Sequence, residues 1–295
     1  MNNEEVFMKR VLSLLLVGML LCTLLTGCGA GKEENHPAEE PAQTGESVEL
    51  TVFAAASLTE TLTEIAEKYR EVAPNVTLRF NFDSSGKLKT QIQEGAACDL
   101  FLSASPKQMN QLDSKADPAV NTEQLDFVLS DTRCDLLENK VALCVPDGNP
   151  KGIDSYDALA AALKSGGVLL AMGNSDVPVG QYTQKIFDYY GLDEQALADA
   201  GVLTYGSNVK EVAAQVAEAA VDCGVIYATD ACSASLAVVD TATADMCGRV
   251  IYPAAVLNVS EHPNEAKAFL DYLKTDAAGA VFEAVGFTPL QGSNS

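Results

Sequence analysis

This sequence has no tryptophan and only two histidines, and its 19 basic residues face 41 acidic ones, for a formal net charge of −22. Each shortage excludes something. The acidic balance argues against nucleic acid and anionic membrane surfaces as partners, because both need a positive face. With only His36 and His262, and no Cys-x-x-Cys pair among the eight cysteines, a zinc cluster has no ligand set. A Ser–His–Asp triad would have to draw on His262, which stands beside Pro263 at a helix start, and it is rejected. The same charge repels free anions at long range. Any anion site must therefore act through local dipoles and hydrogen bonds.

Long apolar runs are equally scarce. One spans residues 11–25, after Lys9 and Arg10, and is too short and wrongly flanked for a membrane span. It ends in Leu25-Thr26-Gly27-Cys28, which resembles the bacterial lipobox, where cleavage precedes a cysteine that carries lipid. A plain secretory signal with an incidental cysteine is the alternative. We expect residues 1–27 to be a lipoprotein signal peptide and Cys28 the lipidation site. Residues 28–47, rich in Gly, Glu, Pro and Ala, read as a disordered tether. The protein is expected to work outside the cytoplasm, anchored to the cell membrane by lipid.

Of the remaining cysteines (Cys98, Cys134, Cys144, Cys223, Cys232 and Cys247), Cys98 and Cys144 lie in or beside apolar, strand-like runs, where a thiol is a small hydrophobe. Fifteen pairings are formally open, but few or no disulfides are expected. A chain of 295 residues with 47% hydrophobic content has room for two domains and ample core.

The chain is organised around Leu50-Thr-Val-Phe-Ala-Ala-Ala-Ser-Leu-Thr59. Residues 48–52 alternate as a strand, the run turns wholly apolar through Ala56, and Leu58, Leu62, Ile65 and Tyr69 then recur at helical spacing. Ser57 is placed as an N-cap at the carboxyl end of a buried strand, where unpaired helix amides favour an anion. Its simpler role would be that of a cap alone.

Downstream the strand–helix alternation repeats. Residues 76–82 form a strand with Val76, Leu78, Phe80 and Phe82 on one face, and Asp83-Ser-Ser-Gly-Lys87 opens a helix. Residues 99–104 form a short strand, with Ser105 as cap and Pro106 at the first helical position. Further strands are expected at 141–146, 168–172, 203–205, 225–227 and 250–257. Helices are opened by Asp154/Ser155, by the Val177-Pro-Val-Gly180 stretch and by Asn208, and two more close the chain. This pattern predicts an α/β protein with largely parallel sheets.

Catalytic motifs do not survive inspection. Ser84-Ser-Gly-Lys87 fits S-x-x-K, yet the S-D-N and K-T-G elements of penicillin-recognising enzymes are missing. Residues 27–32 look like a phosphate loop, but no strand precedes them. What remains is a set of hydroxyls and free amides at strand-to-helix junctions: Ser57, Ser84–Ser85, Ala104, Val179, Val209 and Tyr227. Several such junctions in an exported protein suggest a captured oxyanion.

Ala54-Ala-Ala-Ser-Leu-Thr59, Phe82-Asp-Ser-Ser-Gly86, Gly95-Ala-Ala-Cys-Asp-Leu-Phe-Leu-Ser-Ala104, Val177-Pro-Val-Gly180, Asn208-Val-Lys210 and Gly224-Val-Ile-Tyr-Ala-Thr-Asp-Ala231 together resemble the periplasmic molybdate-binding protein family, in order from about residue 48 to 287. The resemblance implies the type II periplasmic-binding fold, two α/β lobes joined by two crossovers with the ligand between them. It implies a monomeric receptor, without cofactor or catalysis, that hands molybdate or tungstate to the permease of an ABC importer. It places the oxyanion on the Ser57 hydroxyl and amide, Ser85, the amides of Ala104, Val179 and Val209, and the Tyr227 hydroxyl. The metal is held only as the oxyanion, with no direct protein ligand. Lobe one is expected over 48–138 plus 253–295 and lobe two over 139–252, with crossovers near 136–141 and 249–254. Lys87, where small hydroxyl residues often stand, either lends charge to the site or is solvated. Sulfate, phosphate or an organic acid on the same fold is the near alternative, and an exported serine acyl-transfer enzyme the remote one. Organic acids usually call for an arginine fork, and Arg70, Arg79, Arg133 and Arg249 all lie away from the junctions.

Overall fold

The computed structural model describes residues 46–290. The expected leader, Cys28 and most of the tether lie outside the described residues. The first strand, β1 (Val48–Ala55), is buried at every position from Val52 onward. This explains why its sequence passes from alternating to continuously apolar, since that half is covered on both faces. A 3₁₀ turn (Ala56–Leu58) leads into α1 (Thr59–Val72), which buries Leu62, Ile65 and Tyr69. Next come β2 (Val76–Asp83), α2 (Ser85–Gln93), β3 (Leu100–Leu102) and α3 (Pro106–Leu112). Strand β1 lies between β2 and β3 and is parallel to both.

Strand β4 (Cys134–Asn139) is followed, after Lys140 alone, by β5 (Val141–Val145), which belongs to a different sheet. The second lobe continues with α4 (Tyr156–Ser165), β6 (Leu170–Gly173), α5 (Pro178–Tyr190), α6 (Glu194–Asp199), β7 (Leu203–Gly206) and α7 (Val209–Ala217). It ends with β8 (Cys223–Tyr227), α8 (Ala228–Ser233) and β9 (Ala237–Thr241). After α9 (Ala244–Cys247) the chain returns to the first sheet as β10 (Val250–Val256), then closes with α10 (Pro263–Tyr272), α11 (Asp276–Ala284) and β11 (Thr288–Pro289).

The strand orders are β11-β4-β10-β3-β1-β2 and β7-β6-β8-β5-β9. The sheets are mixed, which corrects the expectation of largely parallel pairing. Parallel pairing holds for β2-β1-β3 and β7-β6-β8, whereas β4, β5, β9, β10 and β11 pair antiparallel. The reason is topological. The strands flanking each crossover enter or leave a lobe at one end, so they run against the neighbours they join. Because β10 pairs with β4 from Val250 onward, the second passage between sheets lies between Thr241 and Val250, ahead of the 249–254 segment expected for it.

In the first lobe the sheet is covered twice. Phe53 and Phe101 pack with Leu88 and Ile92 of α2 and Met109 and Leu112 of α3. Leu50 and Val52 on the opposite face pack with Leu62 and Ile65 of α1 and Phe269 and Phe282 of the closing helices. All six cysteines of the described residues are free thiols.

Candidate functional site

The carboxyl ends of the parallel strands carry the site. In the first lobe Ser57 follows β1, Ser84 and Ser85 follow β2, and Ala104 follows β3; in the second, Val179 follows β6, Val209 follows β7, and Tyr227 ends β8. All six residues named from the sequence, with Ser84, line one small, tight cavity. The 3₁₀ turn at Ser57 and the N-termini of α2, α5 and α7 meet there, each presenting first-turn amides that no carbonyl of its own helix can accept. Their dipoles place positive potential in a strongly acidic protein. None of the lining residues carries a charge.

Local chemistry explains how each terminus gets there. Asn208 caps α7 by accepting the Glu211 N–H at 3.0 Å, which fixes Val209 as the first helical residue. Pro178 opens α5, where its missing N–H costs nothing. Gly180 then lets that helix sit against the end of β6, because a Cβ there would stand 2.6 Å from the Gly173 carbonyl carbon. Ser84 caps α2, accepting from the Lys87 N–H at 3.4 Å, and so leaves Ser85 to face the cavity.

Two expectations need correction. Ser57 is not an N-cap: it sits inside the 3₁₀ turn, the cap position of α1 is Leu58, and no side chain caps either element. Its hydroxyl lies instead 2.9 Å from the Tyr252 hydroxyl on β10. The 3₁₀ turn between strand and helix carries the cap position on to Leu58, so the serine falls one residue short of it. Ala104 lines the cavity, but its N–H donates to Ser85 Oγ at 2.9 Å and is not free for a ligand. Its effect is to occupy an acceptor site on Ser85.

Tyr227 completes the set from the second lobe. Its hydroxyl is buried without a hydrogen-bond partner of acceptable geometry, and burial, with the nearby Tyr252, pushes it well above the usual phenol range. It therefore remains a protonated donor. Edge-on contacts to Tyr182 and Tyr252, with centroids 6.4 and 5.7 Å away, build an aromatic wall beside it. Lys87 does not line the cavity and is partly solvated on the first turn of α2. Its ammonium crosses between lobes to Ser207 Oγ at 2.9 Å and lies 3.4 Å from Asp83. A lysine so engaged is no base for Ser84, so S-x-x-K carries no acylating chemistry here. His262 contributes its backbone N–H, to Ser260 Oγ.

Sequence reasoning missed Tyr252 and Asn139, which stand behind Ser57. Asn139 donates to Tyr252 Oη at 3.2 Å and to Thr229 Oγ1 at 2.9 Å. Both lie inside strands, where nothing local distinguishes them from core. It also missed the cluster beside the cleft in which Lys210 Nζ lies 2.7 Å from Glu60 and 3.1 Å from the buried Asp230. Burial pushes Asp230 up to about 6 against the pull of Lys210. For Lys210 burial acts downward, and the two carboxylates more than reverse it. A roomier groove beside α11 displays the carboxylates of Asp276 and Glu283 with one ammonium, Lys274, a poor setting for an anion.

A neutral cavity lined by helix-start amides and hydroxyls suits an anion whose every oxygen is an acceptor. Residues 50–288 match the family model described as bacterial extracellular solute-binding protein. The Bacillus subtilis protein named "Putative ABC transporter substrate-binding lipoprotein YvgL" is 31% identical over 94% of this chain and 97% of its own length. The Haemophilus influenzae molybdate-binding protein ModA is 32% identical, covering 82% of this chain and 91% of its own. Among solved structures, the Azotobacter vinelandii periplasmic molybdate-binding protein superposes with a TM-score of 0.68 at 21% identity, over 82% of this chain and all of that one, and shares the type II periplasmic-binding fold.

Proposed function

Because this chain belongs to the bacterial extracellular solute-binding proteins, in the family of periplasmic molybdate-binding proteins, we propose that it captures molybdate and passes it to an ABC importer. Tungstate, nearly the same in size and charge, is an equivalent ligand. The oxyanion is held by the hydroxyls of Ser57, Ser85 and Tyr227 and the amides of Ser57, Val179 and Val209, while Ala104 orients Ser85. No cofactor takes part. The receptor works as a monomer, outside the cytoplasm, tied to the membrane through a lipid on Cys28, and delivers its cargo to the permease subunits.

One observation carries the reading: the Tyr227 hydroxyl, buried and unpartnered, lines a cavity that otherwise offers amides and serine hydroxyls and no charge. A buried donor left unpaired costs about 1–3 kcal/mol, and a bound oxyanion removes that cost. The same economy of donors favours a fully deprotonated ligand. Hydrogen phosphate brings a proton that meets no acceptor, at a cost of about 1–3 kcal/mol.

A thermal-shift and calorimetric panel tests this. Molybdate and tungstate are expected to raise the melting temperature strongly, since binding to the native state alone adds about 4 kcal/mol at a thousandfold excess over Kd. Sulfate and phosphate are expected to add far less. Equal shifts with sulfate would move the assignment to that anion.

A further inference from the structure

Of the serine hydroxyls in the cavity, those of Ser57 and Ser85 are each hydrogen-bonded to a protein group from another strand or junction. For Ser85 the donor is the Ala104 N–H, which can only donate, so the Ser85 proton is left for the cavity. For Ser57 the partner is the Tyr252 hydroxyl, and either oxygen could donate. The direction is fixed one step further back. Asn139 Oδ1 accepts the Lys140 N–H at 2.8 Å, which leaves Nδ2 to face Thr229 Oγ1 and Tyr252 Oη. Tyr252 Oη thus accepts from Asn139, and Ser57 Oγ, 2.9 Å away, is the acceptor in hydrogen-bonding geometry for its own proton, since the nearby Tyr227 hydroxyl does not meet that geometry. Were Ser57 the donor instead, the Tyr252 proton would be buried without a partner, in a residue 1% exposed.

We infer that Asn139 and Tyr252 are positioning residues whose hydrogen-bond polarity makes Ser57 a donor to the ligand and so rejects protonated oxyanions there. This rests on the oxyanion reading of the cavity. Neither residue lines that cavity, and both act through Ser57. The relay begins beside Lys140, where the chain passes between sheets, and also touches Thr229, two residues past Tyr227.

The test compares molybdate with hydrogen arsenate on the full chain by calorimetry at about pH 8, where both are dianions and only the second carries a proton. Tyr252→Phe frees Ser57 to accept, and the preference for molybdate over arsenate is expected to narrow by about ten- to a hundredfold. Asn139→Asp reverses the relay: its carboxylate accepts from Tyr252, Tyr252 accepts from Ser57, and Ser57 shows the ligand only lone pairs. That variant is expected to narrow the preference at least as far. The repulsion of the new carboxylate cancels in the ratio, because the ligands carry equal charge. Equal weakening of both ligands in the two variants, the result of a merely structural role, overturns the inference. So does an unchanged preference in Asn139→Asp should Tyr252→Phe fail to fold. Failure of the unaltered chain to bind molybdate overturns the proposed function, and this inference with it.

Discussion

Gly86 of the first lobe and Asp176 of the second approach so closely that a Cβ on Gly86 would lie 3.0 Å from the Asp176 carbonyl carbon and well inside the contact radius of its oxygen. Backbone cannot retreat as a side-chain tip can. The glycine of the Asp83-Ser-Ser-Gly86 turn is therefore a closure requirement, beside the Lys87–Ser207 and Gln108–Gln181 hydrogen bonds that also join the lobes.

Gly86→Ala should leave the fold intact and prevent the lobes from meeting as they do here. Molybdate affinity is expected to fall at least about tenfold, with the stability of the free protein within about 0.5 kcal/mol of the parent value. Calorimetry with a thermal scan of the free protein checks both halves. Unaltered affinity would show that closure tolerates the methyl.

Ser57→Ala and Tyr227→Phe each delete one hydroxyl donor to a charged acceptor, worth about 1.5–3 kcal/mol, or about ten- to a hundredfold in Kd. Their effects on the free protein should differ. Ser57→Ala strips Tyr252 of its acceptor and is expected to cost about 1–3 kcal/mol in urea unfolding. Tyr227→Phe removes a hydroxyl that has no partner and should cost nothing. An unchanged Kd in both would place the ligand elsewhere.

Lys210→Met strands Asp230 in the interior. The Asp230 carboxyl is held at about 6, above its ordinary 3.8, so the folded state binds its proton more tightly than the unfolded state does. Its contribution to stability is therefore fullest below about pH 4 and declines as pH rises through about 6. Without Lys210 the opposing charge is gone and the decline steepens. Urea unfolding is expected to show a loss of about 3 kcal/mol or more at pH 8 and much less at pH 5. Glu60 adds little, being half exposed. Equal losses at the two pH values would mean that Asp230 does not depend on Lys210.

Cys28→Ala should release the protein from the membrane fraction without changing the molybdate Kd, since the site is built entirely from residues after β1 begins. Retention of the variant on membranes would remove the lipobox assignment.

The sequence by itself determined the local elements and the junctions that carry donors. The switch from strand to helical period around Ser57, Asn208 ahead of α7, Ser105-Pro106 ahead of α3 and Pro178 at the head of α5 are all written within a few residues, because capping and periodicity are short-range. Elements that half-face solvent or break the pattern with charge, such as β9 (Ala237–Thr241) and β4 (Cys134–Asn139), were not legible, for burial there depends on neighbours from distant segments. Only the tertiary structure decided which strands run antiparallel and where the second crossing falls. It alone gave Ser57 a partner 195 residues away in place of a cap, turned Ala104 from a ligand donor into a support for Ser85, and sent Lys87 to Ser207. The physical reason is the same in each case. A residue's type fixes what it is able to donate or accept, but the direction of a hydrogen bond, and whether a donor remains free, depends on what the fold brings within 3 Å of it.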